Sequence, residues 1–284
     1  MTKTLMAVLA HPDDETFGMG GTLALYARRG VDVYLVCATR GEVGEMDPKY
    51  MEGYSSVGER REAELRCAAE NLGLKDVFFL NYRDSGMPGS PDNNHPQALV
   101  AQPQSVVAAA IVHYIRLLKP QVLITFDPIG GYRHPDHIAI HNAAVEAFNK
   151  AGDPNFGTPD LPPYQPQRLY FHTMPHRMLR LAVNFMTLRG QDPHHTGKNK
   201  DVDLASIAEV KFPIHARINY RPVARVREKA SECHASQGGG RLMGGPLFNQ
   251  ILRWFASNET FMQAFPEPQK GQVLTSDLFQ GIGD

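Results

Sequence analysis

The stretch Thr4-Leu5-Met6-Ala7-Val8-Leu9-Ala10 runs straight into His11-Pro12-Asp13-Asp14-Glu15. An apolar run of this length without polar alternation reads as a strand buried on both faces, the kind found in parallel sheets. A charged turn at the end of such a strand lies where α/β folds place their chemistry. The pattern occurs twice. A second apolar run, Gln121 to Phe126, leads within a few residues to Gly130-Gly131-Tyr132-Arg133-His134-Pro135-Asp136-His137.

Outward from these two segments, apolar β-rich runs alternate with longer helical patterns. Strands are expected at Thr4–Ala10, Val31–Thr39, Val77–Leu80, Gln121–Phe126 and Arg168–His172, and helices at Gly20–Arg29, Gly58–Leu72, Ser105–Leu118 and His137–Lys150. Gly30 and Gly73 stand where helix-terminating glycines belong, and Pro120 stops the third helix. This alternation predicts an α/β fold, Rossmann-like, with a mostly parallel sheet, helices on both faces and a smaller C-terminal layer. Residues 1–173 would form the catalytic core, and 174–284 would complete the same domain and cover the site. Two long irregular stretches, Gly41–Val57 and Asp84–Pro103, follow strands and are placed to roof a crevice. Asp153–Pro166 reads as a turn-rich connection. Past it the pattern weakens: Arg177–Arg189 suits an amphipathic helix, followed by the polar QDPHHTGKNKD, then a strand at Ser206–Phe212 and a helix at Val223–Ser236 ending before Gly238, Gly239 and Gly240.

The 284 residues, 42% hydrophobic, are enough to bury a sizeable core. A net charge of −1, from 29 basic and 30 acidic residues, gives no electrostatic reason to expect nucleic acid or an anionic membrane as partner. Cys37, Cys67 and Cys233 are odd in number and widely spaced, which supports neither a disulfide framework nor a structural zinc knuckle. With no signal-peptide pattern and no apolar run long enough to cross a bilayer, a cytoplasmic location is expected.

In a doubly wound sheet the first strand and the strand across the switch point are neighbours, so the two charged clusters should face one another. Taken singly, each has a plainer explanation. Asp13 and Asp14 would cap the helix that follows, and His134-Pro135-Asp136-His137 is a proline-containing helix start. Together, at matched topological positions, they point to a metal site. Catalytic zinc sites use three protein ligands and keep one position for water, and His11, Asp14 and His137 would supply such a set.

The paired motifs, AHPDDE near the N-terminus and HPDH later, resemble the signature of the PIG-L/LmbE-like zinc deacetylases. Weaker matches extend the resemblance over most of residues 3–145: TRGE (Thr39–Glu42), Arg61 and Glu64 followed by Leu72-Gly73, and the later HASQ (His234–Gln237). YRDSGM (Tyr82–Met87) is similar to the mycothiol branch, which includes N-acetylglucosaminyl-inositol deacetylase and mycothiol S-conjugate amidase. The resemblance implies zinc on His11, Asp14 and His137, with Asp13 as general base kept off the metal. It also implies Tyr132 and His134 as oxyanion donors, with Asp136 orienting or charging His134. Arg61 and Asp84 match positions that hold substrate groups, and HASQ adds His234 to the substrate-binding set. Either protonated Asp13 or imidazolium His134 would serve to protonate the departing amine.

Plainer readings accompany several of these residues. Arg61 lies in GERREAE, a charge run with Glu64 at i,i+3 that also suits a solvated helix face. His234 near a glycine-rich stop suits a simple cap interaction. Glu15 is expected to support the ligand turn, not to act in chemistry. The expected reaction is zinc-dependent hydrolysis of the N-acetyl amide of a small N-acetylglucosamine-containing molecule. Iron is an alternative metal, a larger-amide amidase an alternative activity, and a homo-oligomer an open option. Other classes fit less well. A nicotinamide enzyme needs a third glycine where Leu23 follows Gly18, Gly20 and Gly21. A non-haem Fe(II) oxygenase has no use for the spare Asp13, and a sugar-binding module none for Asp13, Tyr132 and His134 together.

Overall fold

Strand β1 (Thr4–Leu9) is buried along its whole length, and its two neighbours explain why. It pairs in parallel with β2 (Asp32–Cys37) on one side and with β4 (Val122–Phe126) on the other, Leu5 lying opposite both Val33 and Val122. Adding β3 (Asp76–Phe79), β5 (Arg168–Thr173), β6 (Ala216–Asn219) and β7 (Asn258–Phe265) completes a seven-stranded sheet of order β3-β2-β1-β4-β5-β7-β6. The first five strands are parallel, and β7 joins antiparallel to both β5 and β6. The computed structural model describes residues 2–157, 160–174, 176–196, 202–240, 257–269 and 271–283, so part of the polar stretch after residue 191 lies outside them.

The connecting helices are α1 (Asp14–Arg28), α2 (Val57–Leu72), α3 (Gln104–Leu118), the short α4 (Gly130–Arg133), α5 (Pro135–Lys150), α6 (His176–Leu188), α7 (Leu204–Glu209) and α8 (Ala224–Cys233). Helix α3 packs with α5, whereas α1, α2 and α8 pack with one another. That division follows from right-handed crossovers that run outward in both directions from β1. The strand order reverses between β1 and β4, which sets the His11 and His137 turns side by side at the carboxyl ends of the strands. The fold is thus the α/β arrangement the alternation predicts.

Three details differ from the sequence reading. Helix α1 starts at Asp14, not Gly20, because the acidic Asp14 and Glu15 suit a helix N-terminus. Residues 204–209 form a helix where Ser206–Phe212 was expected to be a strand. Asp203 caps it by accepting from the Ser206 N–H (2.9 Å), and Leu204, Ile207 and Ala208 follow helical spacing. Cys67 and Cys233, whose number and spacing support no disulfide framework, form a disulfide between α2 and α8. Cys67 is exposed on its helix. Cys37 is buried and free. No helix among the described residues is long and apolar enough to cross a membrane.

The C-terminal strand also braces the first helix. Helix α1 is kinked at Met19, and Glu259 of β7 accepts from the freed Gly21 and Thr22 N–H groups (3.0 and 2.7 Å). Gly21 lies so close to the Tyr220 ring that a Cβ would stand 2.1 Å from Cγ. Gly21→Ala should therefore destabilise the protein by about 1–3 kcal/mol through overpacking, read as a lower denaturation midpoint. An unchanged midpoint would show that this contact is not tight.

Candidate active site

The turn after β1 is held in an unusual shape. Asp13 has φ 119°, a left-handed conformation that non-glycine residues rarely adopt. Glu15 accepts from the Asp13 N–H (3.0 Å), and Asp14 Oδ2 accepts from the His11 N–H (2.7 Å). The opposing turn depends on glycine. A Cβ on Gly130 (φ 65°) would lie 2.8 Å from the His137 Cβ, and Asp127 holds the turn by accepting from the Ile129 and Gly131 N–H groups (3.1 and 2.9 Å). Asp127 is a supporting residue that the motifs do not reveal.

Between the two turns, His11 Nδ1, His137 Nε2 and an Asp14 carboxylate converge. The distances are 3.2 Å from His11 Nδ1 to His137 Nε2, 3.3 Å from His137 Nε2 to Asp14 Oδ1, and 3.6 Å from His11 Nδ1 to Asp14 Oδ2. The outer ring nitrogens are already committed. His137 donates its Nδ1–H to the Gly130 carbonyl (3.2 Å), and His11 donates its Nε2–H to Asp136 Oδ2 (3.1 Å), with Asp84 Oδ1 3.4 Å away. The inner nitrogens therefore present lone pairs to each other and to a carboxylate. Asp14 Oδ2 has a donor in the His11 N–H, but the two ring nitrogens and Asp14 Oδ1 face one another, an arrangement that a cation satisfies. The His11–His137 and His137–Asp14 Oδ1 spacings match the about 3.3 Å between ligands that stand about 2.0–2.1 Å from a tetrahedral ion, whereas the 3.6 Å from His11 is to the other carboxylate oxygen.

Burial opposes charge on His11, but Asp84, Asp136 and Asp14 outweigh it and raise its pKa. Burial also works against the Asp14 carboxylate, yet His137 and His11 hold it well below the usual range. The cluster thus demands positive charge whichever form supplies it. His134 lies close enough to join the same group. Its Nδ1, however, accepts from the Asp136 N–H (3.1 Å), so its proton belongs on Nε2. Burial, reinforced by His11 and His137, lowers its pKa to about 2, and a cation nearby pushes the same way. His134 is neutral.

Asp13 stands beside this group. Its Oδ2 accepts from Arg61 Nη2 (3.1 Å), and burial, joined by Asp14, raises its pKa to about 6 against the pull of Arg61 and His234. Tyr132 sits edge-on to His137, with ring centroids 4.9 Å apart. His11, Asp13, Arg61, Asp84, Tyr132 and His134 all line one cavity of about 730 Å3. Its walls include Val43, Tyr50, Met87 and Ser90, from the two long loops that follow β2 and β3.

Three of the assigned residues make contacts that their sequence assignments do not name. The Asp136 carboxylate turns to His11 and the Ser85 N–H (2.9 Å), and touches His134 only through its backbone. Arg61 is buried and donates to the Pro12 carbonyl (2.7 Å), the Gly41 carbonyl (3.1 Å) and Asp13, which clamps the turn, while it also lines the cavity. His234 is fully buried behind the turn, with Nε2 2.7 Å from Glu15, and lies outside the cavity lining. Asp84 both lines the cavity and is held by the Gly86 N–H (2.8 Å).

The fold and this centre define an α/β protein with a candidate metal site at the strand switch point. The chain belongs to the PIG-L family, GlcNAc-PI de-N-acetylase, whose match spans residues 6–148. A 1D-myo-inositol 2-acetamido-2-deoxy-alpha-D-glucopyranoside deacetylase from Thermobifida fusca is 40% identical over 98% of this chain and 99% of its own length. Among solved structures, N,N'-diacetylchitobiose deacetylase from Pyrococcus horikoshii aligns with a TM-score of 0.61 at 22% identity, over 92% of this chain and 83% of that one. The 4-carboxy-2-hydroxymuconate hydratase from Pseudomonas putida aligns at 0.59 and 18% identity, over 96% and 100%. A hydratase on the same architecture means that the reaction must be argued from the site.

Proposed function

We propose that this protein is a zinc-dependent N-deacetylase that hydrolyses the acetamide of an N-acetylglucosaminyl-inositol-like glycoside, consuming one water and releasing acetate and a free amine. The observation that carries the reading is the inward-facing trio of His11, Asp14 and His137 with Asp13 alongside, tied to Arg61. Two imidazoles and a carboxylate suit zinc and leave a position open for chemistry; iron is the alternative occupant. A divalent ion held there supplies Lewis-acid polarisation of the acetyl carbonyl and a water acidified toward neutral pH.

The chain's own groups do the rest. Asp13, with a pKa near 6, takes the proton of the attacking water and returns it to the departing amine nitrogen. Neutral His134 is a poor proton source but a suitable hydrogen-bond donor, its Nε2–H stabilising the carbonyl oxygen as negative charge develops. The Tyr132 hydroxyl adds a second donor from the cavity wall. Arg61 keeps the Asp13 carboxylate turned to its work, and Asp84 offers its carboxylate to sugar hydroxyls.

The test is amine release from a panel containing N-acetylglucosaminyl-inositol, simpler N-acetylglucosamine glycosides and a larger thiol-conjugate amide. Rapid amine release from the first supports the reading. Turnover of the large amide alone would reassign the activity to an amidase, and oxygen consumption without amine release would overturn hydrolysis.

A further inference from the structure

We infer that His234, acting through Glu15, is the positioning residue that fixes the backbone of Asp13 and so aims the proposed base. The inference rests on the reading of Asp13 given above. The connection is short and fully buried. His234 Nε2 donates to Glu15 Oε1 (2.7 Å), and Glu15 Oε2 accepts from the Asp13 N–H (3.0 Å), with Glu15 and His234 both 0% exposed. Thr16 Oγ1 also donates to Glu15 Oε1 (2.5 Å). The His234 Nδ1 is buried without a partner among the described residues, so its visible polar use is the bond to Glu15.

The held group needs holding. Asp13 at φ 119° occupies a conformation that persists only where its surroundings impose it. Arg61 secures the side chain and the preceding carbonyl, while Glu15 secures the N–H, so the residue is gripped from both sides. His234 arrives from 219 residues away in sequence, on the turn that ends α8, and that turn is itself tied to α2. Ser236 donates its N–H and Oγ–H to Glu64 (3.0 and 2.6 Å), and Cys233 is bonded to Cys67. A buried carboxylate with a fixed donor keeps one orientation, whereas one without its donor reorients or takes up a proton. Displacement of a reacting group by about 1 Å can cost about 100-fold in rate.

The test compares His234→Leu, which removes the donor, with His234→Gln, whose amide N–H reaches about as far as imidazole Nε2. Residue-resolved amide exchange in His234→Leu should show the Asp13 N–H exchanging at least about 10-fold faster, with the β1 amides unchanged; His234→Gln should restore protection. In the deacetylation assay, kcat should fall about 10- to 100-fold in His234→Leu, with KM and bound ion unchanged, and recover in His234→Gln. If the Leu protein does not fold, His234→Asn, polar but too short to reach Glu15, takes its place. Asp13 protection equal to wild type in the donor-less variant would overturn the inference, as would loss of kcat that His234→Gln does not recover. The exchange comparison needs no substrate, so it decides the positioning role even if the wild-type protein cleaves none of the amides.

Discussion

Asp13→Asn should leave ion binding intact and lower kcat about 1000-fold, within the range of about 100- to 10,000-fold that a positioned base contributes. The substitution is nearly isosteric. Asparagine tolerates positive φ, keeps an oxygen for Arg61 Nη2, and leaves the backbone N–H bonded to Glu15. It removes only the capacity to carry a proton. Burial has already raised the carboxyl of Asp13 to about 6, where it can both accept and return a proton near neutral pH. Steady-state kinetics with metal analysis of the same sample checks this. An active Asn variant would remove Asp13 from its role, and a metal-free one would make it a ligand.

His137→Ala should instead empty the centre, leaving dialysed protein with ion content near background and no measurable turnover. His137 supplies one of the three inward acceptors, and its ring is stacked on Phe126 with centroids 4.0 Å apart. The loss of affinity should exceed the roughly 10- to 100-fold that removal of an outer hydrogen-bond partner costs. Asp136→Asn supplies that benchmark, because Asp136 touches His11 only on the face turned away from His137. The opposite order of effects would mean that the ion sits on the Asp84 and Asp136 side of His11. Thermal denaturation of both variants separates loss of metal from loss of fold.

Much of this was legible because parallel strands leave a strong trace. β1, β2 and β4 are apolar runs that alternate with amphipathic helices, and the order of such units limits where charged turns can meet. The convergence of His11 with His137 could therefore be expected from two short motifs. Strand β7 was not visible, since its partners are antiparallel and distant, and its buried Glu259 meets the Gly21 and Thr22 N–H groups of α1, beside the kink at Met19, only in the folded chain. The disulfide escaped for a similar reason: spacing along the chain does not show that α2 and α8 lie side by side. Arg61 and His234 were linked to the site as substrate contacts. Their contacts could not be read from the chain: Arg61 lines the cavity and also bonds the Pro12 carbonyl and Asp13, and His234 is buried against Glu15.

In the proposed site one divalent ion is held by two imidazoles from opposite turns and a carboxylate, with Asp13 free beside it. X-ray absorption spectroscopy of the zinc-loaded protein tests it most directly. One ion per chain is expected with two histidine imidazoles in its coordination sphere, falling to one in His137→Ala loaded with excess zinc and unchanged in Asp13→Asn. A spectrum without imidazole scattering, or one altered by Asp13→Asn, would contradict it.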